Sequence, residues 1–142
     1  MIYGIGVDLV RISRIEAALE RHGPRFAERI LSEHELEAYG ASRRKANFTA
    51  KHFAAKEALL KALGTGLRMG IHWGHMEVRN DSLGKPYLVC RERVQELFDE
   101  RGISASFLSL SDEDEYAAAF VTLVCRQSPA GTPERGQTGR IT

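Results

Sequence analysis

The hydrophobic pattern begins with a period of two. Over residues 2–10 (Ile-Tyr-Gly-Ile-Gly-Val-Asp-Leu-Val), Tyr3, Ile5, Val7 and Leu9 share one face, and Gly4, Gly6 and Asp8 share the other. This alternation predicts a strand. Two side chains are missing beside Asp8, so open space is expected around its carboxylate. The period then becomes helical, with Ile12, Ile15 and Leu19 as the buried stripe of a helix over about 11–22. Gly23-Pro24 interrupts it, a short helix is predicted over 25–31, and Ser32-Glu33-His34-Glu35 reads as a capping box opening a third.

The longest helical pattern runs over about 45–63. Its apolar residues (Phe48, Phe53, Ala54, Ala55, Ala58, Leu59, Leu60, Leu63) fall all around the wheel, which marks a central, buried helix. Gly64-Thr65-Gly66 stops it. Strands at about 75–79 and 85–90 flank a turn and predict a hairpin. A helix over 91–101 turns Val94, Leu97 and Phe98 inward and ends at Gly102. Strands over 106–111 and 116–125 surround the acidic turn 112–115. Periodicity ends at Arg126, so the reading is one domain over 1–126 and a disordered tail over 127–142. Helices mixed with strands on short turns predict an α+β fold: one compact domain, a mostly antiparallel sheet and a long central helix.

Composition narrows the function classes. At 142 residues, 43% hydrophobic and 27% charged, the chain has the make-up of one globular domain rather than a fibrous or disordered protein. Twenty basic against nineteen acidic residues leave a net charge of +1. A whole surface built to coat nucleic acid or an anionic membrane is excluded, so any anionic partner meets a local patch. Cys90 and Cys125 are too few for a disulfide framework or a zinc cluster. No apolar run approaches the ~20 residues of a membrane span, and residues 1–6 do not read as a secretory signal. A cytoplasmic protein is expected.

Candidate chemistry concentrates on the first strand and the central helix. Glu57 and Lys61 are four residues apart and stand side by side, with Ala46, Ala50 and Ala54 near the same stripe. A face trimmed to methyl groups lets something approach closely. The alternative is an ordinary surface Glu–Lys pair. Asp8 is a second carboxylate, or else simply a charge at the start of the next helix. Two carboxylates and a lysine suit a hard divalent cation such as Mg2+ together with a phosphate group. Gly64-Thr65-Gly66-Leu67-Arg68 offers either an anion nest or a plain helix cap. Neither a Walker A loop nor a dinucleotide fingerprint is present. Arg11, Arg14 and Arg21 gather on one edge of the first helix, with Arg25 beyond it, opposite Glu16 and Glu20. That sorting reads as a docking edge for an acidic partner or as a solvated face.

Together these segments resemble the holo-acyl-carrier-protein synthases, the small bacterial 4′-phosphopantetheinyl transferases. The resemblance rests on Gly4-Ile5-Gly6-Val7-Asp8-Leu9-Val10 with Arg14-Ile15, and on Phe53-Ala54-Ala55-Lys56-Glu57-Ala58 with Lys61-Ala62. Gly64-Thr65-Gly66 and Leu83-Gly84-Lys85-Pro86 complete it, over about residues 2–125. It implies transfer of the phosphopantetheine arm of coenzyme A to a serine of apo-acyl carrier protein, with release of 3′,5′-ADP, in support of fatty acid biosynthesis. It further implies Mg2+ on Asp8 and Glu57, with Lys61 and Glu57 in catalysis. Lys61, Gly64, Thr65, Gly66, Lys85, Pro86 and His52 would line the coenzyme A site. Arg14, Arg21 and Arg25 would face the acidic carrier protein, and homotrimers with active sites between subunits are expected. Two positions depart from the family pattern: Phe107 replaces a common His, and His52 replaces an Arg, which predicts a weaker, pH-sensitive grip on the nucleotide end. Two other readings compete: a metal-dependent nuclease of the ribonuclease-H-like kind, and a non-catalytic arginine-faced docking module.

Overall fold

In the computed structural model, residues 1–126 are described, and the tail expected over 127–142 lies outside them. Ten elements and one 3₁₀ turn follow in order. They are β1 (Ile2–Arg11), α1 (Ile12–His22), α2 (Pro24–Ile30), α3 (Glu33–Ala41), α4 (Lys45–Leu63), the 3₁₀ turn Trp73–His75, β2 (Met76–Asn80), β3 (Pro86–Cys90), α5 (Glu92–Glu100), β4 (Ile103–Asp112) and β5 (Tyr116–Cys125). Each element expected from periodicity is present, and the α+β reading holds. All strand pairing is antiparallel but is divided between two sheets, β1-β5-β4 and the hairpin β2-β3.

Local chemistry explains the boundaries. The capping box opens α3 as expected: Glu35 N–H donates to Ser32 Oγ at 3.1 Å, and Ser32 N–H donates to Glu35 Oε1 at 2.8 Å. Gly64 ends α4 in the left-handed region (φ 78°), its N–H reaching the Leu60 and Lys61 carbonyls. In the β2-β3 turn, Asp81 Oδ1 accepts from Leu83 N–H and Lys85 N–H.

Helix α4 lies across the inner face of β1 and β5, and its apolar circumference is covered on all sides, as an all-round apolar helix requires. Ala50, Ala54, Ala55 and Ala58 are fully buried in the core beside Leu59, Leu60, Val121 and Leu123. The glycines of β1 make the close approach possible. A Cβ on Gly4 would stand 2.2 Å from the Ala62 carbonyl oxygen, and one on Gly6 would stand 1.9 Å from that of Ala58. The open space expected beside Asp8 is therefore filled by α4. The same correction applies to the alanine stripe, since Ala50 and Ala54 admit other parts of this chain and not a ligand.

The opposite face of the sheet is bare in a single chain. Strand register sets Ile5, Thr122 and Phe107 in one row and Val7, Phe120 and Ser109 in the next. Val7 is 59% exposed, Phe107 57% and Phe120 43%. A contiguous apolar sheet face of this kind marks an association surface.

Candidate active site

Alternation along β1 turns Asp8 toward α4, on the same side as Gly4 and Gly6. Lys61, two residues from the end of α4, places Nζ 3.0 Å from Asp8 Oδ1 and 3.0 Å from the Val7 carbonyl oxygen. Glu57 stands one turn earlier. Its carboxyl is held above its usual range first by burial and then by the Asp8 charge, with Lys61 opposing both. Ionised Glu57 is thus penalised by burial and by the neighbouring Asp8 carboxylate, and a further cation between the two would relieve that penalty.

These groups open into one cleft of about 520 Å3. Arg14 of α1 joins Asp8, Glu57 and Lys61 there, and Ile15, Phe26 and Phe53 form apolar walls. Three segments far apart in the chain are thus brought together: Asp8, the first turns of α1, and the Glu57–Lys61 stretch of α4.

Other expected site residues fall elsewhere. Gly64, Thr65, Gly66, Lys85 and Pro86 do not line this cleft in their own chain. Thr65 is buried and donates its hydroxyl to the Gly66 carbonyl at 2.9 Å, so the loop offers backbone and not the threonine side chain. Lys85 is exposed at the hairpin turn. Arg14, Arg21 and Arg25 are all exposed, and no salt bridge among the described residues engages them. Arg11 is different: it ends β1, donates to the Tyr116 hydroxyl at 3.0 Å and lies over that ring.

His52 requires correction. Its ring is buried, Nδ1 lies 2.7 Å from the Phe48 carbonyl oxygen, Nε2 lies 3.6 Å from Glu35 Oε2, and Phe48 stacks on it at 4.0 Å. Burial, outweighing the Glu35 charge, lowers its pKa, so at neutral pH it is the uncharged ring. A neutral, enclosed imidazole has nothing to offer a phosphate, and the expected pH-sensitive grip at His52 is replaced by a packing role. Phe107 sits on the bare sheet face described above. The cysteines are unpaired, and burial pushes the Cys90 thiol up to about 12, which leaves it inert.

One group of residues escaped the sequence reading. Lys56, Glu35 and Glu77 are buried ionic side chains joined through Ser32. A carboxylate in a capping box and a lysine in an apolar helix were visible in the sequence, but nothing paired them.

Residues 4–121 match the model of the 4′-phosphopantetheinyl transferase superfamily. The holo-[acyl-carrier-protein] synthase of Azoarcus sp. is 51% identical over 126 residues, which are 89% of this chain and 100% of that one. Among solved structures, the holo-[acyl-carrier-protein] synthase of Neisseria meningitidis superposes with a TM-score of 0.83 at 40% identity, covering 87% of this chain and 99% of the other. A holo-(acyl-carrier-protein) synthase from Bacillus anthracis in complex with coenzyme A (3′,5′-ADP) superposes at 0.76 with 38% identity, covering 89% and 99%. The nuclease and docking-module readings are overturned by these matches over nearly the whole described chain. This chain belongs to the 4′-phosphopantetheinyl transferase superfamily, and within it to the holo-[acyl-carrier-protein] synthases.

Proposed function

We propose that this protein transfers the 4′-phosphopantetheine arm of coenzyme A to a serine of an apo-acyl carrier protein, with Mg2+, releasing 3′,5′-ADP. The reading places it in the cytoplasm, in support of fatty acid biosynthesis. The convergence of Asp8, Glu57, Lys61 and Arg14 on one cleft carries it. The relative solved with coenzyme A supports the choice of donor.

The donor set fits Mg2+. Asp8 and Glu57 supply hard carboxylate oxygens, close enough together for the Asp8 charge to raise the Glu57 carboxyl. Among the described residues there is no group of three or more His, Cys, Asp or Glu side chains that suits a metal held by protein alone. Mg2+ takes one or two carboxylates and completes its shell with water and phosphate oxygens. When bound there, it would neutralise charge developing on the pyrophosphate.

The remaining steps belong to the chain itself. The serine hydroxyl attacks the β-phosphorus, the bond to the departing 3′,5′-ADP oxygen breaks, and the serine proton must leave. Glu57, its carboxyl held above the usual carboxylate range by burial and by Asp8, is suited to take that proton. The Lys61 side chain is about half exposed and is free to turn from Asp8 toward the departing phosphate. Gly64 and Gly66 offer exposed backbone, and Lys85 an ammonium, to coenzyme A. They lie outside the Asp8 cleft of their own chain, so an assembly with sites between neighbours would use them. The bare face around Val7, Phe107 and Phe120 gives such an assembly, a homotrimer, its contact surface.

Intact-mass spectrometry tests the reaction. An apo-acyl carrier protein incubated with this protein, coenzyme A and Mg2+ gains one phosphopantetheine mass, and EDTA prevents the gain. A carrier left unmodified, with the protein folded, would overturn the reading. Sedimentation of the same sample should give three chains of 15.8 kDa each, and a stable monomer would remove the trimer.

Arg14, with Arg21 and Arg25, faces the acidic carrier. Arg14→Glu is expected to raise the KM for carrier protein roughly tenfold or more, because it sets like charges against each other at the interface, with the KM for coenzyme A little changed. An equal rise in both would assign Arg14 to the coenzyme.

A further inference from the structure

Of the lysines among the described residues, Lys56 alone is buried, and it immediately precedes Glu57. Its Nζ donates to Glu35 Oε1 of α3 at 2.6 Å and to the Ile30 carbonyl at the end of α2, also at 2.6 Å. Glu35 is itself anchored at both oxygens. Oε1 also accepts from Ser32 N–H, and Oε2 accepts from Val78 N–H of β2 at 2.9 Å. Ser32 Oγ passes the chain on to Glu77 Oε1 at 2.6 Å, and Arg79 and Arg91 hold the other oxygen of Glu77. Glu77 remains below its usual carboxylate range because these donors outweigh the effect of burial.

Such a network is an unusual way to stabilise a core. Burial lowers the pKa of Lys56 in spite of Glu35, so holding the charge there is costly. Apolar residues of similar size in place of a buried ion pair are often as stable or more so. What an apolar pair lacks is direction. Helix α4 has buried apolar residues all round, so burial alone singles out no one rotation about its axis. Dispersion and burial hold such a helix close but do little to stop it rolling. Gly4 and Gly6 set how near it comes to β1. Two charge-assisted bonds at 2.6 Å, aimed at anchored partners, restrict roll.

We propose that the Lys56–Glu35 ion pair is a positioning device that fixes the rotation of α4 and thereby the direction in which Glu57 and Lys61 face β1. Successive residues on a helix are about 100° apart. With Lys56 tied toward α2 and α3, Glu57, and Lys61 one turn on, point into the cleft beside Asp8. Lys56 and Glu35 touch no substrate; they act through α4. The inference rests on the reading above that Glu57 and Lys61 carry the chemistry.

Two variants test it: Glu35→Gln, which keeps the shape and one accepting oxygen, and the double variant Lys56→Met/Glu35→Gln, which removes both charges. Each is assayed for kcat and for the KM of coenzyme A at a temperature where circular dichroism shows it folded. The expected result is a fall in kcat of threefold or more in the single variant and tenfold or more in the double, with KM within twofold of the parent. Parental kcat in a folded variant, whatever its melting temperature, would make the pair a staple only and overturn the proposal. A rise in KM equal to the fall in kcat overturns it too, because that signals general loosening. If the double variant does not fold, Glu35→Gln decides alone by the same criteria. Glu57→Gln is measured alongside. Undiminished turnover there would remove the underlying reading, independently of the Lys56 results.

Discussion

Replacing Gly6 with alanine is expected to lower the melting temperature by about 10 °C, although the change adds a single methyl group. The new Cβ would lie 1.9 Å from the Ala58 carbonyl oxygen and 2.8 Å from the Ala62 nitrogen, and both are backbone atoms of α4. Neither can turn aside as a side chain would, so β1 and α4 must separate. Overpacking of this kind costs about 3 kcal/mol, and a kcal/mol is worth roughly 4 °C in a domain of this size. Gly40→Ala is the matching control. Gly40 lies in α3 with a negative φ and nothing within 4 Å of its missing Cβ, so alanine there should raise the melting temperature slightly. Thermal denaturation of the two variants checks both signs, and a Gly6→Ala protein that melts with the parent would refute the close-contact argument. The same separation would draw Asp8 away from Lys61, now 3.0 Å apart, so activity should fall beyond the loss of folded protein.

The second large effect is expected at the carboxylates. Asp8→Ala and Glu57→Gln should each reduce turnover on the order of 10² to 10³-fold, the scale seen when a charge-stabilising group is lost from an active site. Supraoptimal Mg2+ should recover little of it. Measurement of kcat against Mg2+ concentration checks this, and parental turnover in Asp8→Ala would remove that residue from the site. Stability should move the other way at Glu57. Its carboxyl is held above its usual range by burial and by Asp8. The folded state therefore keeps the proton longer than the unfolded chain, whose glutamate titrates near about 4.3. Ionised Glu57 accordingly lowers stability as pH rises above that value, and the penalty vanishes below it. Glu57→Gln should melt higher than the parent at pH 8, with the difference shrinking as the pH approaches 4. A constant difference across that range would contradict the assignment.

Much of this architecture is legible along the chain because local rules governed it. The capping box at Ser32 and Glu35 formed as written, since both partners lie within one turn. The stripe of Val94, Leu97 and Phe98 on α5 is buried, and Gly64 and Gly102 adopt the positive φ that ends a helix. The all-round apolar pattern of 45–63 announced a central helix, and α4 is central. Where the reading went astray, partners distant in sequence were responsible. Gly4 and Gly6 looked like space around Asp8, but their missing side chains are the seat of a helix more than fifty residues away. His52 looked available to a phosphate until packing beside α3 closed its ring into the interior, where burial keeps it uncharged.

The sequence by itself determined the order and kind of the elements, their caps, and the residue types able to bind a cation and a phosphate. Those depend on periodicity and on groups within a few positions of one another. Tertiary structure decided which of these groups meet. Asp8 and Lys61 are 53 residues apart and Lys56 and Glu35 are 21 apart, yet each pair is in hydrogen-bonding contact. Lys56 of α4 is closed inside the core and Lys61 opens into the cleft, because α2 and α3 cover one side of the helix and β1 the other. A linear pattern records that both lysines are charged. Only the packing of the helix between those layers determines which is spent on holding it and which is left for chemistry.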